Sequence, residues 1–272
     1  MAGQTIRLNR FIAQAGVCSR RKADFHIDSG DVKVNGQKVY ELGVKVDPDR
    51  DRVEFQGKHI QVNSEKLYLA FYKPRHVVTT LHDPEDRPCI GDYLKKMKTR
   101  VYPVGRLDWD SEGLLILTND GDYSERVLSP KGAVPKTYKV KISQSLTENQ
   151  IGKLQRGVSI EGGGRVRVDT IRRLKPPKGD TKVGRSMSTD AQWVEVIISE
   201  GKNRQIRKMF EKLRIDVQKL QRVAIGRLKI GTLKPGELRP LNERQVRMSL
   251  QGLEEQPQRH FRKTKIQRRT RK

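Results

Sequence analysis

The strongest patterning signal is the apolar run Leu114 to Leu117, bounded by Gly113 and by Asn119, Asp120 and Gly121. A short apolar run between turn residues predicts an interior strand, although periodicity alone also fits a buried helix segment. Upstream, Leu8, Phe11, Ile12 and Ala15 recur at helical spacing and Gly16 ends that helix. Ser19 is a candidate N-cap for a second helix over residues 20–29, closed by Gly30. Val32 and Val34 alternate with polar residues, Asn35-Gly36 makes a turn, and Val44, Val46, Val53 and Phe55 supply further short strands. Residues 1–62 therefore read as a small separate unit, joined by a polar link to a larger one spanning 66–250.

The larger unit opens with a strand over 67–72, ended by Lys73-Pro74. Residues 82–88, with Asp83, Glu85, Asp86 and two prolines, read as a solvated loop. A strand over 101–104 feeds the central run. A helix is expected over 122–128, and a strand over 136–142 in which Lys136, Tyr138 and Val140 share one face. Thr147 caps a helix running to Arg156, and Gly162 to Gly164 form a flexible turn. Further strands are expected over 166–174 and 192–199. Residues 176–190 read as a mobile loop. A helix over 203–213 carries the buried stripe Ile206, Met209, Phe210 and Leu213. One or two strands follow in 217–230, then a helix over 242–250 and a basic, disordered tail over 251–272. Strands outnumber helices with no βαβα rhythm, which predicts an α+β domain on a mainly antiparallel mixed sheet.

Composition changes the picture in one respect. Lys and Arg number 57 against 32 Asp and Glu, a net charge of +25. Residues 256–272 hold eight of those cations and no acid, so the body still carries +17. Such a balance points to a polyanionic partner. The two cysteines, Cys18 and Cys89, make no disulfide framework or CxxC pattern, and no histidine pairing suggests a metal site. No apolar run is long enough to span a membrane and MAGQTIRLNR has no signal-peptide core, so a cytoplasmic protein is expected. No GxGxxG or phosphate-loop spacing calls for a nucleotide cofactor.

Candidate chemistry gathers before the central run. Asp108, Asp110 and Glu112 cluster where the chain crosses a sheet end, a usual place for function. If residues 106–108 are extended, Arg106 and Asp108 share a face, and a guanidinium there favours an ionised Asp, one recipe for a carboxylate nucleophile. Taken alone, such an Asp is more often a loop cap. In the smaller unit, Arg20, Arg21 and Lys22 stand in the first turn of the second helix. Cations there oppose the helix dipole, and a docked backbone phosphate would offset the conflict.

Two resemblances sharpen this reading. Residues 7–13, the segment Gly16 to Ala23, Ile27, Gly30 and Val32 to Gly36 resemble the alpha-L RNA-binding module. That resemblance implies RNA contacts from Arg10, Ser19, Arg20, Arg21 and Lys22. The larger unit resembles pseudouridine synthases of the RsuA and RluB branch. The matching segments are Phe71-Tyr-Lys-Pro74 with Val77 to Thr80, Tyr102 to Asp108 with Ser111 and Gly113 to Gly121, Lys136-Thr-Tyr138, and Glu200 to Phe210. One departure is His76, where the family usually has Gly. The resemblance implies Asp108 as catalytic nucleophile, Tyr138 stacking on the target uracil and assisting proton transfer, and Arg207 pairing with Asp108. Arg106 is expected to fill the stack left by the flipped base, with Lys136 and Arg204 among the RNA contacts and Leu220 beneath the base. The reaction implied is isomerisation of a uridine in ribosomal RNA, of the large subunit first and the small subunit second, by a monomer needing no cofactor. A non-catalytic assembly factor bound to ribosomal RNA or an assembly particle is the competing class, and a transfer-RNA modifier a third.

Overall fold

A computed structural model describes residues 5–62, 65–130, 132–176 and 191–252. The expected loop at 177–190, part of the polar link and the tail from 253 lie outside them.

The N-terminal unit comprises β1 (Ile6–Arg7), α1 (Leu8–Gln14), α2 (Arg20–Asp28), β2 (Val32–Val34), β3 (Gln37–Lys38), β4 (Lys45–Val46), β5 (Val53–Phe55) and β6 (Lys58–Ile60). Leu8, Phe11 and Ile12 of α1 pack on Ala23 and Ile27 of α2 and on Val32, Val46 and Val53, all buried. This is the stripe that the spacing predicts. The Ser19 hydroxyl accepts from the Lys22 amide at 3.3 Å, so it caps α2. Asn35 and Gly36 both take positive φ, the mirror-image turn that a two-residue hairpin requires.

The larger unit runs β7 (Tyr68–Lys73), β8 (Tyr102–Pro103), β9 (Glu112–Thr118), α3 (Gly121–Leu128), β10 (Lys136–Ile142), α4 (Glu148–Arg156), β11 (Val158–Ile160), β12 (Gly164–Val166), β13 (Thr170–Leu174), β14 (Gln192–Ile198), α5 (Gln205–Glu211), β15 (Val217–Ile225), β16 (Leu228–Lys229), β17 (Leu238–Pro240) and α6 (Glu243–Ser249). One mixed sheet has the order β13-β14-β10-β15-β9-β7-β17, with β8 on β9 and β16 on β15. Among the described residues its pairs are antiparallel except β15 with β9.

The central run fails to alternate because both faces of β9 are covered. Leu115 and Leu117 belong to the core that includes Leu154 of α4 and Ile206, Met209 and Phe210 of α5. Leu114 and Ile116 belong to the core with Tyr123 and Val127 of α3. The sheet is therefore a filled middle layer, and its loops are what remain open.

Several expectations need correction. The strand expected over 166–174 is two strands, because β12 folds back on β11 while β13 pairs with β14. The helix expected from 203 starts at Gln205, because Arg204 takes a left-handed φ of 49°. Asp83 is buried rather than solvated. The Arg87 guanidinium grips both its oxygens at 2.7 and 2.9 Å and holds its carboxyl below the usual range. Residues 106–108 lie outside the strands, since β8 ends at Pro103 and Gly105 turns the chain at φ 76°; even so, Leu107 is buried while Arg106 is exposed.

Candidate active site

The loop of residues 105–111 enters β9 and carries Asp108. A turn closes at its tip, where the Ser111 amide donates to the Asp108 carbonyl at 3.1 Å. Four side chains from other elements hold this loop through its backbone. The Thr79 hydroxyl donates to the Leu107 carbonyl at 2.6 Å and accepts from the Leu107 amide at 3.2 Å. Lys73 at the end of β7 is fully buried, and its ammonium donates to the carbonyls of Ser111 at 2.9 Å and Pro74 at 2.8 Å. Arg207 of α5 donates to the carbonyls of Asp110 at 3.0 Å and Val217 at 2.9 Å. Arg222 of β15, 5% exposed, donates to the Leu114 carbonyl at 2.7 Å and the Arg106 carbonyl at 3.5 Å. It thereby spans both flanks of the loop.

The register explains how Arg222 gets there. Arg222 pairs with Gly113 across the parallel contact and with Tyr138 across the antiparallel one. Gly113 is required for that approach. Its φ is 110°, and an added Cβ would stand 2.2 Å from the Arg222 carbonyl oxygen.

The acids and arginines sort differently from expectation. The Arg207 Nε lies 3.2 Å from an Asp110 carboxylate oxygen, not from Asp108. That contact is an ion pair by distance but off-line for a hydrogen bond, since Nε has no hydrogen-bond partner among the described residues. The guanidinium is anchored at its two outer nitrogens by the Val217 and Asp110 carbonyls, which fixes its third toward Asp110. Asp108 instead has Arg204, at 4.0 Å; Arg204 also reaches Asp110 at 3.4 Å. The expected pairing of Asp108 with Arg207 is therefore replaced by a cluster of two acids and two arginines. Glu112 faces Lys219 at 3.2 Å.

Beneath Asp108 lies a cavity of about 480 Å³. Tyr138, 9% exposed, and Leu220 line it together with Ile198, Ile206 and Ile225. Arg106, Lys136, Arg204 and Arg222 also line it. Burial, reinforced by Arg222, pushes the Lys136 ammonium down to about 8, and that group donates to the Val127 carbonyl at 3.3 Å. Asp108, Tyr138, Arg106, Lys136, Arg204 and Leu220 are thus brought to one cavity, while Arg207 is not among its lining and holds the loop through the Asp110 carbonyl. Asp110 was among the clustered acids, whereas Lys73, Thr79 and Arg222 hold the loop and were given no role from the sequence. A lysine closing a strand otherwise apolar from Leu69 was the signal available for one of them.

The residues expected from the smaller unit lie elsewhere. Arg20, Arg21 and Lys22 are exposed at the start of α2, and Ser19 spends its hydroxyl on the cap. Arg10 is ion-paired with Asp122 of α3. A second cleft of about 640 Å³ is lined by Arg7, Arg10, Arg20, Lys45 and Asp122 among others. Its four cations outnumber the lining carboxylates Asp49 and Asp122, a balance that suits a polyanion.

Residues 67–212 match the RNA pseudouridylate synthase family, more than half of the chain. The chain belongs to that family. In this synthase, residues 6–51 match the S4 domain. The chain is 39% identical over 216 residues to the "Ribosomal large subunit pseudouridine synthase B" of Bacillus subtilis, covering 79% of this chain and 84% of that protein. It is 36% identical to an "Uncharacterized RNA pseudouridine synthase" of Aquifex aeolicus, over 81% of this chain and 84% of the relative. A solved pseudouridylate synthase superposes with a TM-score of 0.61 at 28% identity, covering 90% of this chain and 99% of the other. The fold is therefore that of the family, a small S4 unit ahead of a larger mixed-sheet domain. Among the described residues no helix is long and apolar enough to cross a membrane.

Proposed function

We propose that this synthase converts a specific uridine of large-subunit ribosomal RNA to pseudouridine in the cavity beneath Asp108. The observation that carries the reading is one cavity that joins a clamped carboxylate, Asp108, to a buried phenol ring, Tyr138, under a rim of cations. The choice of large-subunit RNA rests on the name of the Bacillus subtilis relative.

The reaction breaks the bond from C1′ of the ribose to N1 of uracil, turns the base over, and joins C1′ to C5. The hydrogen on C5 is given up and a proton is taken at N1, so no atoms or electrons are gained or lost. Asp108 serves the sugar or the ring as nucleophile or base while the glycosidic bond is open. Tyr138 stacks on the uracil and assists removal of the C5 proton, and Leu220 supports the base from below. Arg204 stands within ion-pair reach of the Asp108 carboxylate, and Arg207 places the loop that carries it through the Asp110 carbonyl. A base reaches such a cavity only by leaving its helix, and Arg106 at the rim takes the vacated place. Lys136, Arg20, Arg21 and Lys22, with the basic C-terminal residues, contact phosphates; Arg10 joins them once RNA competes with Asp122.

Pseudouridine mapping on total RNA from cells lacking the protein, rescued by wild type or by Asp108→Ala, tests this. One ribosomal uridine should stay unmodified without the protein and be restored by wild type alone. Full restoration by Asp108→Ala would remove Asp108 from the chemistry, and an unchanged map would leave an assembly role.

A further inference from the structure

His76 stands in a left-handed conformation, φ 58°, which a side chain with a Cβ adopts poorly and glycine adopts freely. Its amide donates to the Trp109 carbonyl at 2.7 Å, and its ring packs on the Trp109 indole with centroids 5.5 Å apart. Both side chains are exposed, Trp109 at 42%. Trp109 lies between Asp108 and Asp110, yet neither aromatic lines the cavity. An unfavourable backbone is therefore kept beside the catalytic loop, holding a bulky pair of rings in solvent. Core packing does not account for a pair that packs on no core. The charges nearby are cationic in excess: Arg204 and Arg207 bracket Asp110, and the exposed Arg75 is close enough to act on Arg207.

We propose that His76 and Trp109 form a stacking shelf for an unpaired nucleobase adjacent to the target uridine. The proposal rests on the reading of this cavity as the place where an RNA base is turned over. Flipping one base leaves its neighbours without a stacking partner. Aromatic rings beside the cavity mouth supply one, and the arginines meet the strand's phosphates. Stacking tolerates any base, so the shelf adds affinity and fixes the strand's path, while the cavity reads the uridine itself.

The chain has two tryptophans, and the other, Trp193, is buried out of reach of a stacking base, so base-dependent quenching reports on the shelf. The full-length protein is titrated with a short oligouridylate and with the same ribose-phosphate chain lacking bases. Expected is quenching by the oligouridylate alone, lost in Trp109→Leu. In His76→Gly, which relaxes the backbone and so keeps the fold, the affinity for oligouridylate should fall about 5-fold or more. The KM for ribosomal RNA should rise in step while kcat holds. Equal quenching by the baseless chain, or unchanged affinity in both variants, would overturn the shelf. Because the titration needs no turnover, a wild-type protein that fails to modify ribosomal RNA would count against the proposed function and not against the shelf.

Discussion

Replacing Lys73 with methionine should separate stability from catalysis. The ammonium is fully buried and donates to the carbonyls of Pro74 and Ser111. Burial pushes it from 10.5 down to about 8, against the pull of Asp108, Asp110 and Glu112. A displacement of that size means the fold bears about 3 kcal/mol to keep the group charged at neutral pH. Methionine removes that cost but leaves two buried acceptors without their donor, at about 1–3 kcal/mol each. The two effects nearly offset, so Lys73→Met should lose at most about 3 kcal/mol. Activity should fall much further. Lys73 holds the Ser111 carbonyl, the Ser111 amide closes the turn that carries Asp108, and a displacement near 1 Å there costs about 100-fold in kcat. The pH dependence carries the sharper sign. Between about pH 8 and 10 the folded Lys73 has lost its proton while the unfolded chain still binds one. The unfolded state then binds more protons, so wild-type stability gains with rising pH relative to Lys73→Met. Urea melts of both proteins from pH 7 to 10 measure that difference. A flat difference, or a variant that keeps full kcat, would refute the reasoning.

Lys136, also pushed down to about 8, should add a second gain over the same range, absent from Lys136→Met in the same melts. Asp108→Asn should abolish tritium release from RNA labelled at C5 of uridine, whereas Asp110→Asn should lower it only about 10–100-fold, because Asp110 serves the arginines and not the substrate. Equal loss in both would exchange their roles. Gly113→Ala should cost more than about 2 kcal/mol in a urea melt, since its Cβ would meet rigid backbone at Arg222; an unchanged midpoint would show that β9 and β15 can separate. Removing residues 256–272 takes away eight cations and should flatten the salt dependence of RNA binding. An identical slope would mean that those residues do not touch RNA.

What was legible in the sequence was whatever burial writes into spacing. The stripe on α1 and α5, the Ser19 cap and the turn at Asn35 follow from local physics, and the structure has them. The double burial of β9 was legible as an apolar run, but its parallel neighbour in the sheet was not, since pairing with β15 spans over a hundred residues. The mispairing of Arg207 has a similar cause. Position on a helix shows which way a guanidinium points, but not that carbonyls from Val217 and Asp110 claim two of its nitrogens.

The clamp around Asp108 shows why such residues escape a motif. Thr79, Lys73, Arg207 and Arg222 grip the carbonyls of residues 106, 107, 110, 111 and 114, and a carbonyl carries no side-chain identity. Held this way through its backbone, the loop places Asp108 with little dependence on its own other side chains. Residue 109 at the tip is then free to vary without moving the carboxylate. In this chain it is an exposed tryptophan, braced by a histidine in an unfavourable conformation. A tip that can change while the acid stays fixed lets the path of a bound strand be altered without rebuilding the cavity.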